Sequence, residues 1–425
     1  MIREVGAQAG AKLAWKETPI PSVDFNLTPY TVIWEVTRAC DLCCVHCRAA
    51  AQKIRDSREL SATEGYRLIN DIAAWGSPVF VLTGGDPMKR PDLEDLICYA
   101  AKERKLRTSL TPSATPLVTK MRLKEIRNAG IARIALSLDG PAAAVHDDFR
   151  GEKGCFDRTI EIIRDLKDLD IPLQINTTVA RQNIAVLPEI AKLVEGFGAV
   201  QWSVFFLVPM GRGKKDDMIS PVQHEKIFHW LYDLTKKVPF DIKATAAQHF
   251  RRVAIARERR AGRAAATDGR GRYVEVSGAG FRYADGIQRP TQGVNDGKGL
   301  VFISHVGDVY PSGFLPIRAG NIREKSVIDI YRDSFLFRDL RNPDKLKGKC
   351  GVCEYRIVCG GNRARAWALT GDPLEEEPAC VYVPPLAKDG RLPRETGMSK
   401  TGPLIRSERR GETEQAESVR TTARP

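Results

Sequence analysis

The chain has 425 residues, of which 43% are hydrophobic, and its formal net charge is +13 at pH 7. This length exceeds one ordinary core and predicts a large domain, a smaller domain and some unpacked sequence. No apolar run is long enough to cross a bilayer, and the amino terminus lacks the basic-then-apolar order of a secretory signal, so we expect a cytoplasmic protein without membrane contact.

Between residues 30 and 210, short β-branched runs alternate with segments of helical periodicity. This alternation is typical of βα units around a parallel sheet, in which ligands collect at the carboxyl ends of the strands. Ser61 and Glu64 form a capping-box pattern, and Pro91 opens a second helical segment. The sequence therefore predicts an α/β core shaped as a partial (β/α)6 TIM-like barrel, with strands at 31–37, 79–83, 106–111, 133–138, 173–179 and 200–208.

Three cysteines, Cys40, Cys44 and Cys47, follow the first predicted strand with three and then two residues between them. In a loop, this spacing brings three thiolates to three irons of a cubane cluster and leaves the fourth iron without a protein ligand. An open iron suits a small chelating molecule that provides an amine and a carboxylate. A zinc site is the alternative, and closing it locally would require Cys43 or His46 as a fourth ligand.

This Cys-x-x-x-Cys-x-x-Cys pattern after the first strand of a βα series resembles the radical S-adenosylmethionine (SAM) superfamily. The resemblance implies a [4Fe-4S] cluster on the three cysteines, with SAM bound to the open iron. An electron from the cluster would cleave SAM to a 5′-deoxyadenosyl radical, which removes hydrogen from a substrate. The cluster and SAM would supply the chemistry, while the protein supplies position and excludes water. Cys43 does not fit the family spacing and is interpreted as structural.

Further segments resemble the SAM site of this family. Gly84-Gly85-Asp86-Pro87 resembles the Gly-Gly-Glu-Pro motif that binds the SAM amino group, with Asp86 in place of the usual Glu. Its two glycines let the backbone approach a ligand closely. The segment 146–151 resembles the one whose arginine, here Arg150, pairs with the SAM carboxylate. The resemblance implies other contacts to the carboxylate, ribose and adenine at Ser137, Asp139, Asn176, Leu207 and Val208.

The segment 251–272 holds eight arginines against Glu258 and Asp268. We interpret it as a frayed helix and loop within a basic linker, in preference to a phosphate-binding patch. Much of the positive charge lies here and in the carboxyl-terminal tail, so solvated charge explains it and no nucleic-acid partner is expected. The predicted organisation is an amino-terminal extension, the core, the linker, a cluster domain and a disordered tail, at 1–29, 30–240, 241–295, 296–385 and 386–425.

A second group, Cys350, Cys353, Cys359 and Cys380, provides four thiolates, enough to ligate every corner of a cubane. Zinc could also take four cysteines, and only the company of the first group favours iron and sulfur. The segment resembles the SPASM extension of radical SAM enzymes. Full members have two further cysteines where this chain has Ser312 and Arg363, so the resemblance implies one auxiliary [4Fe-4S] cluster in a small SPASM- or twitch-like domain.

The stretch from Cys350 to Cys380 is especially similar to the tail of radical SAM enzymes that modify tetrapyrroles in heme d1 and alternative heme synthesis. The sequence thus predicts an enzyme that acts on a tetrapyrrole or another cofactor precursor, with a flavodoxin- or ferredoxin-type electron donor. A ribosomal-peptide maturase of the same superfamily is the alternative substrate class. A zinc-containing nucleic-acid-binding protein is the alternative from another class, and it leaves the order of the SAM-site motifs unexplained.

Overall fold

The computed structural model describes residues 23–76, 78–262 and 293–388. Most of the predicted amino-terminal extension, residues 263–292 of the predicted linker, and the predicted tail beyond residue 388 lie outside the described residues. The described residues belong to one compact unit. None of their helices is both long and apolar enough to cross a membrane.

The strands of the described chain form one sheet in the order β10-β9-β8-β1-β2-β3-β4-β5-β6-β7. From β8 through β7, neighbouring strands run parallel, whereas β9 and β10 add an antiparallel hairpin beside β8. The strand bounds are β1 Thr31–Glu35, β2 Val79–Thr83, β3 Arg107–Leu110, β4 Arg133–Ser137, β5 Leu173–Val179, β6 Gln201–Phe206, β7 Asp241–Thr245, β8 Leu300–Ile303, β9 Asp308–Tyr310 and β10 Gly320–Asn321.

All six predicted core strands are present, and two more parallel strands extend the sheet. Asp241–Thr245 lies in the predicted linker, yet it pairs with β6 as β7. At the other side β8, from the predicted cluster domain, pairs with β1. The core sheet is thus completed by two segments that the sequence analysis placed in the linker and in the cluster domain. These segments are too short to show the alternating hydrophobicity that identifies a strand.

Helices connect consecutive parallel strands, as expected for βα units. The predicted capping box is formed at Ser61 and Glu64, and α2 follows Pro91 and continues as a π-helical turn, Tyr99–Glu103. The helix bounds are α1 Ala62–Ala74, α2 Leu93–Cys98, α3 Lys120–Ala129, α4 Ala143–Arg150, α5 Cys155–Asp168, α6 Leu187–Gly196, α7 Pro221–Thr235, α8 Phe250–Arg260, α9 Val327–Asp333, α10 Phe335–Arg341, α11 Gly348–Gly351, α12 Arg363–Thr370 and α13 Pro385–Lys388.

Helix α8 corrects the interpretation of the first half of segment 251–272. Phe250, Val253 and Ala254 are buried in the main core, and so are the side chains of Arg251 and Arg252. The Arg252 guanidinium pairs with Glu225 of α7. This part of the arginine-rich segment is therefore a packed helix, because its apolar face and its ion pairs anchor it against α7.

Arg365 fastens the carboxyl-terminal region to the sheet. Its guanidinium and the Glu377 carboxylate are 3.2 Å apart, and neither side chain is exposed. The same guanidinium donates to the carbonyl oxygens of Phe206 at 3.2 Å and Ala246 at 2.8 Å, at the carboxyl ends of β6 and β7. Although burial opposes it, Arg365 lowers the pKa of Glu377 to about 2. These contacts give Arg365 a structural role.

We expect Arg365→Met to lower the free energy of unfolding by about 3–5 kcal/mol, because it leaves a buried carboxylate without its partner. Lys325→Met is the matched control: its ion pair with Asp333 is exposed, so the cost should stay below about 1 kcal/mol. Chemical denaturation of both variants measures the difference. Equal stabilities would show that the buried pair does not anchor this region.

Candidate functional site

Cys40, Cys44 and Cys47 lie in the loop that leaves β1. Cys40 and Cys44 are buried in one small cluster, against which Cys47 packs, and all three line a cavity at the carboxyl ends of the strands. The cavity has an empty volume of about 1130 Å³, including the part open to solvent. The predicted triad therefore converges, and Cys43 is exposed outside this cavity lining.

Backbone contacts hold the loop in this shape. The Cys40 amide donates to Gln52 O at 2.8 Å, and the Cys47 amide donates to Cys44 O at 3.3 Å. Arg212, after β6, donates from Nε to Cys44 O at 2.8 Å. The loop is thus tied both to the chain that follows it and to the far side of the sheet.

The sulfur atoms of the triad have polar neighbours that suit thiolate ligands of an iron–sulfur cluster. The Leu42 amide donates to Cys40 Sγ at 3.4 Å, Ser113 Oγ lies 3.5 Å from the same sulfur, and Arg150 donates to Cys44 Sγ at 3.7 Å. Burial raises the pKa of the Cys40 thiol to about 11. Cluster binding requires the thiolate, and these donors favour it. In the described ranges no three His, Cys, Asp or Glu side chains are grouped to hold a single metal ion.

Gly84 and Gly85 line the cavity directly after β2. A Cβ on Gly84 would lie 2.5 Å from Thr37 O, and one on Gly85 would lie 2.5 Å from Ala39 O. The Gly85 and Asp86 amides donate to these same two carbonyl oxygens at 2.8 and 2.7 Å. Glycine is needed here because the backbone packs against the start of the cysteine loop, which couples the two predicted motifs physically.

Asp86 and Pro87 lie behind the cavity lining. Asp86 is fully buried, and its carboxylate accepts from the amides of Met88 and Ser113 at 3.1 and 3.3 Å and from Thr115 Oγ1 at 2.7 Å. Burial raises the pKa of Asp86 above its usual value. Its side chain therefore organises the turn and the β3 loop and does not line the cavity.

The β4 residues divide in the same way. Ser137 lines the cavity, whereas Asp139 is fully buried beside it. Asp139 accepts from the Thr178 amide at 2.7 Å and pairs with Arg150 at 2.7 Å. Although burial opposes it, the Arg150 guanidinium keeps the pKa of Asp139 below its usual value. Asp139 thus orients Arg150, which lines the cavity close to the cysteine triad.

The cavity also has one apolar wall beside its polar lining residues. Asn176 on β5 is a polar member of the lining, and it accepts from Gln174 Nε2 at 2.6 Å. The wall formed by the end of β6 and the loop after β9 consists of Phe205, Phe206, Leu207, Val208 and Phe314. The predicted residues Leu207 and Val208 are therefore placed in the cavity together with three aromatic rings.

The second cysteine group lines a separate cavity between α11 and the carboxyl end of the described chain. Cys350, Cys353, Cys359 and Cys380 all contribute to it. The Glu377 amide donates to Cys350 Sγ at 3.3 Å, and the Gly361 amide donates to Cys359 Sγ at 3.4 Å. Burial raises the pKa of all four thiols, to about 12 for Cys353. Four sulfurs with amide donors fit a fully ligated cluster.

Ser312 and Arg363 stand where a full SPASM domain would have cysteines, and both are buried. Ser312 Oγ accepts from the Phe314 amide at 3.2 Å. Arg363 donates to the carbonyl oxygens of Pro373 at 3.1 Å and Glu375 at 2.6 Å. These two side chains fill structural roles at the positions of the missing thiols.

Sequence reasoning missed several lining residues. Ser113 and Phe314 lie in loops without a motif, although Ser113 follows a predicted strand, where polar residues merit attention. Cys155 belongs to no motif, yet it packs with Cys40 and Cys44 and lines the same cavity. His249 lines the second cysteine cavity. Its spacing to the other histidines did not indicate a functional site.

Comparisons with known proteins agree with this geometry. Residues 34–194 match the radical SAM superfamily, and residues 295–354 match the SPASM iron–sulfur cluster-binding domain. The AdoMet-dependent heme synthase of Methanosarcina barkeri is 41% identical over 84% of this chain and 97% of its own length. The AdoMet-dependent heme synthase of Nitratidesulfovibrio vulgaris is 40% identical over 85% of this chain and 94% of its own length.

The fold is shared with a solved structure, Streptococcus suis SuiB bound to S-adenosylmethionine. The TM-score is 0.62 at 17% sequence identity, and the match covers 84% of this chain and 78% of SuiB. The predicted α/β class, the SPASM extension, and the SAM and iron–sulfur cofactors are thereby confirmed. This chain belongs to the radical SAM superfamily, as an enzyme that carries a SPASM-type iron–sulfur domain.

Proposed function

We propose that this enzyme acts on a tetrapyrrole, with the SAM-binding cluster on Cys40, Cys44 and Cys47 and an auxiliary cluster on the second cysteine group. The observation that carries the proposal is the shared lining of one cavity by the triad, by Gly84 and Gly85, and by the apolar end of β6. Similarity to AdoMet-dependent heme synthases over almost their full length supports the substrate class.

When bound by Cys40, Cys44 and Cys47, a reduced cluster would supply the electron for SAM cleavage and so provide the radical that removes hydrogen from the substrate. In the proposal, the backbone at Gly84 and Gly85 receives the amino-acid head of SAM. Arg150, which Asp139 holds from behind at 2.7 Å, binds the SAM carboxylate as a fixed charged donor. Ser137 and Asn176 offer polar contacts to the ribose, and Leu207 and Val208 pack on the adenine.

The aromatic side of the cavity suits a flat, largely apolar substrate. Phe205, on β6, and Phe314, in the loop after β9, are neighbouring rings of this wall with centroids 6.3 Å apart. Such rings pack against a planar macrocycle and exclude water from the radical. With all four corners ligated by cysteine, the auxiliary cluster is proposed to transfer electrons or support the domain, with no open iron for substrate.

A ribosomal peptide is the second substrate class, since SPASM-type enzymes of the superfamily include peptide maturases. A flavodoxin- or ferredoxin-type protein as electron donor and a cytoplasmic location complete the proposal. The donor is needed because the triad cluster must be reduced once in each SAM cleavage.

The substrate assay uses anaerobically reconstituted protein, SAM and dithionite, with either an iron porphyrin carrying propionate side chains or a precursor peptide. We expect the porphyrin to raise 5′-deoxyadenosine formation above the substrate-free rate, and we expect the mass of the porphyrin to decrease. The precursor peptide should have neither effect. Cys40→Ala serves as the control for porphyrin chemistry that does not depend on SAM. Modification of a peptide with no response to any porphyrin would overturn the tetrapyrrole assignment.

A further inference from the structure

His249 is a buried histidine at the wall of the second cysteine cavity. It precedes the first residue of α8, lines the cavity together with the four cysteines, and is 1% exposed. Among the described residues neither Nδ1 nor Nε2 has a hydrogen-bond partner. An imidazole always carries at least one N–H, and a buried N–H without an acceptor costs free energy. The imidazole N–H therefore needs a hydrogen-bond acceptor that lies in the cavity.

The arginine and lysine side chains of this lining already have partners, and among them Arg356 pairs with Asp344 at 3.5 Å. The Arg252 guanidinium pairs with Glu225 and lies over the Tyr382 ring. Lys349 Nζ donates to Cys380 O at 2.7 Å. His249 differs because packing alone fixes its ring: it meets Phe228 edge-on, with the ring centroids 4.6 Å apart.

We propose that His249 donates an N–H···S hydrogen bond to the auxiliary cluster or to one of its cysteine sulfurs and thereby raises the reduction potential of that cluster. Hydrogen bonds to sulfur stabilise the added negative charge of a reduced cluster, and they are one of the levers that set its potential. Four thiolates already complete the ligand set, so the imidazole acts as a donor and not as an iron ligand. The inference rests on the auxiliary cluster of the proposed function.

The position of His249 connects the two cavities. The His249 and His224 rings have centroids 5.7 Å apart, and His224 stacks on Phe206 at 5.2 Å. Phe206 lines the cavity of the cysteine triad. The proposed donor therefore lies on the side of the second cysteine cavity that is nearest to the cavity of the triad.

The test uses the full chain with Cys40, Cys44 and Cys47 all changed to Ala, so that the auxiliary cluster is observed alone. In this background His249→Phe removes the donor and keeps a ring of similar size, and His249→Gln retains a donor. His224→Phe is the matched control, because His224 is equally buried but does not line the cysteine cavity. Redox titration followed by electron paramagnetic resonance gives the potential of each variant, and iron analysis gives its cluster content.

We expect His249→Phe to keep its iron and to lower the ratio of reduced to oxidised cluster about tenfold at a fixed potential, a shift of ~59 mV for one electron. His249→Gln should recover part of the shift, and His224→Phe should show none. An unchanged potential in His249→Phe overturns the hydrogen bond. Loss of iron from both His249 variants would also contradict the hydrogen bond. A strong nitrogen coupling in the paramagnetic resonance spectrum would contradict it as well, because it would show that the imidazole binds iron directly. Absence of iron from the triad-free parent would instead contradict the auxiliary cluster itself.

Discussion

Changing any one of Cys40, Cys44 or Cys47 to Ala is expected to abolish the reductive cleavage of SAM. These three sulfurs line one cavity, and a cubane with two protein ligands would lose the geometry that leaves a single open iron. Reconstituted protein, SAM and dithionite are incubated anaerobically, and 5′-deoxyadenosine is quantified by chromatography. Each variant should fall to the level of protein without cluster.

Cys43→Ala is the matched control for this experiment. Cys43 lies within the same loop, but its side chain is exposed and lines a different surface depression from the triad. We expect this variant to retain both its iron and its cleavage activity. Retention of activity in Cys44→Ala, or its loss in Cys43→Ala, would mean that the ligand set is wrong.

The iron content is expected to approach eight atoms per chain, about four at each site. A SPASM domain with two auxiliary clusters would raise the total to about twelve. The chain lacks the two further thiols, because Ser312 and Arg363 occupy their positions and bond to backbone groups there. Removing the whole triad should leave about four irons that no longer support SAM cleavage.

Cys380→Ala separates the two sites in the opposite direction. It removes one thiolate from the second cysteine cavity, which shares no cysteine with the cavity of the cysteine triad. We expect the triad cluster and substrate-free SAM cleavage to remain, while substrate turnover falls and the carboxyl-terminal region loses stability. A count near twelve irons, or a spectrum of the triad-free protein that changes on adding SAM, would contradict a single closed auxiliary cluster.

The parts of the site that sequence could predict are those in which chemistry and spacing are local. The three triad cysteines lie within eight residues of one loop, and the two glycines directly follow a strand, so their proximity needs little tertiary information. The strands β2 and β5 match their predicted bounds, because each is a run rich in β-branched residues that directly follows a proline, Pro78 or Pro172. Cys380, separated from Cys359 by twenty residues, was grouped with the other three cysteines from their number and spacing and not from geometry.

The sequence misplaced features whose partners are distant along the chain. Strand β7 is a short run with one exposed lysine, and only its pairing with β6 identifies it as part of the sheet. From sequence alone, the arginine-rich segment of α8 has the composition of a solvent-exposed charged segment. Only the structure shows that it pairs with Glu225 and packs on the core. Ion pairs between distant segments produce no periodic pattern in the sequence. From composition alone, the charged segments that form them are therefore interpreted as linker.

By itself, the sequence determined the class of protein through resemblance: the cysteine spacings, the double glycine and the βα alternation resemble the radical SAM family, and each of these patterns depends on neighbouring residues. Only the tertiary structure decided which polar residues line the cavity. Asp86 and Asp139 belong to predicted motifs, yet both lie behind the cavity and orient its lining. His249 has no motif, yet the fold places its unpaired ring at the auxiliary cysteines. The physical reason is that burial and hydrogen-bond satisfaction are properties of the whole packed chain, and a buried polar group shows its role only when its neighbours are known.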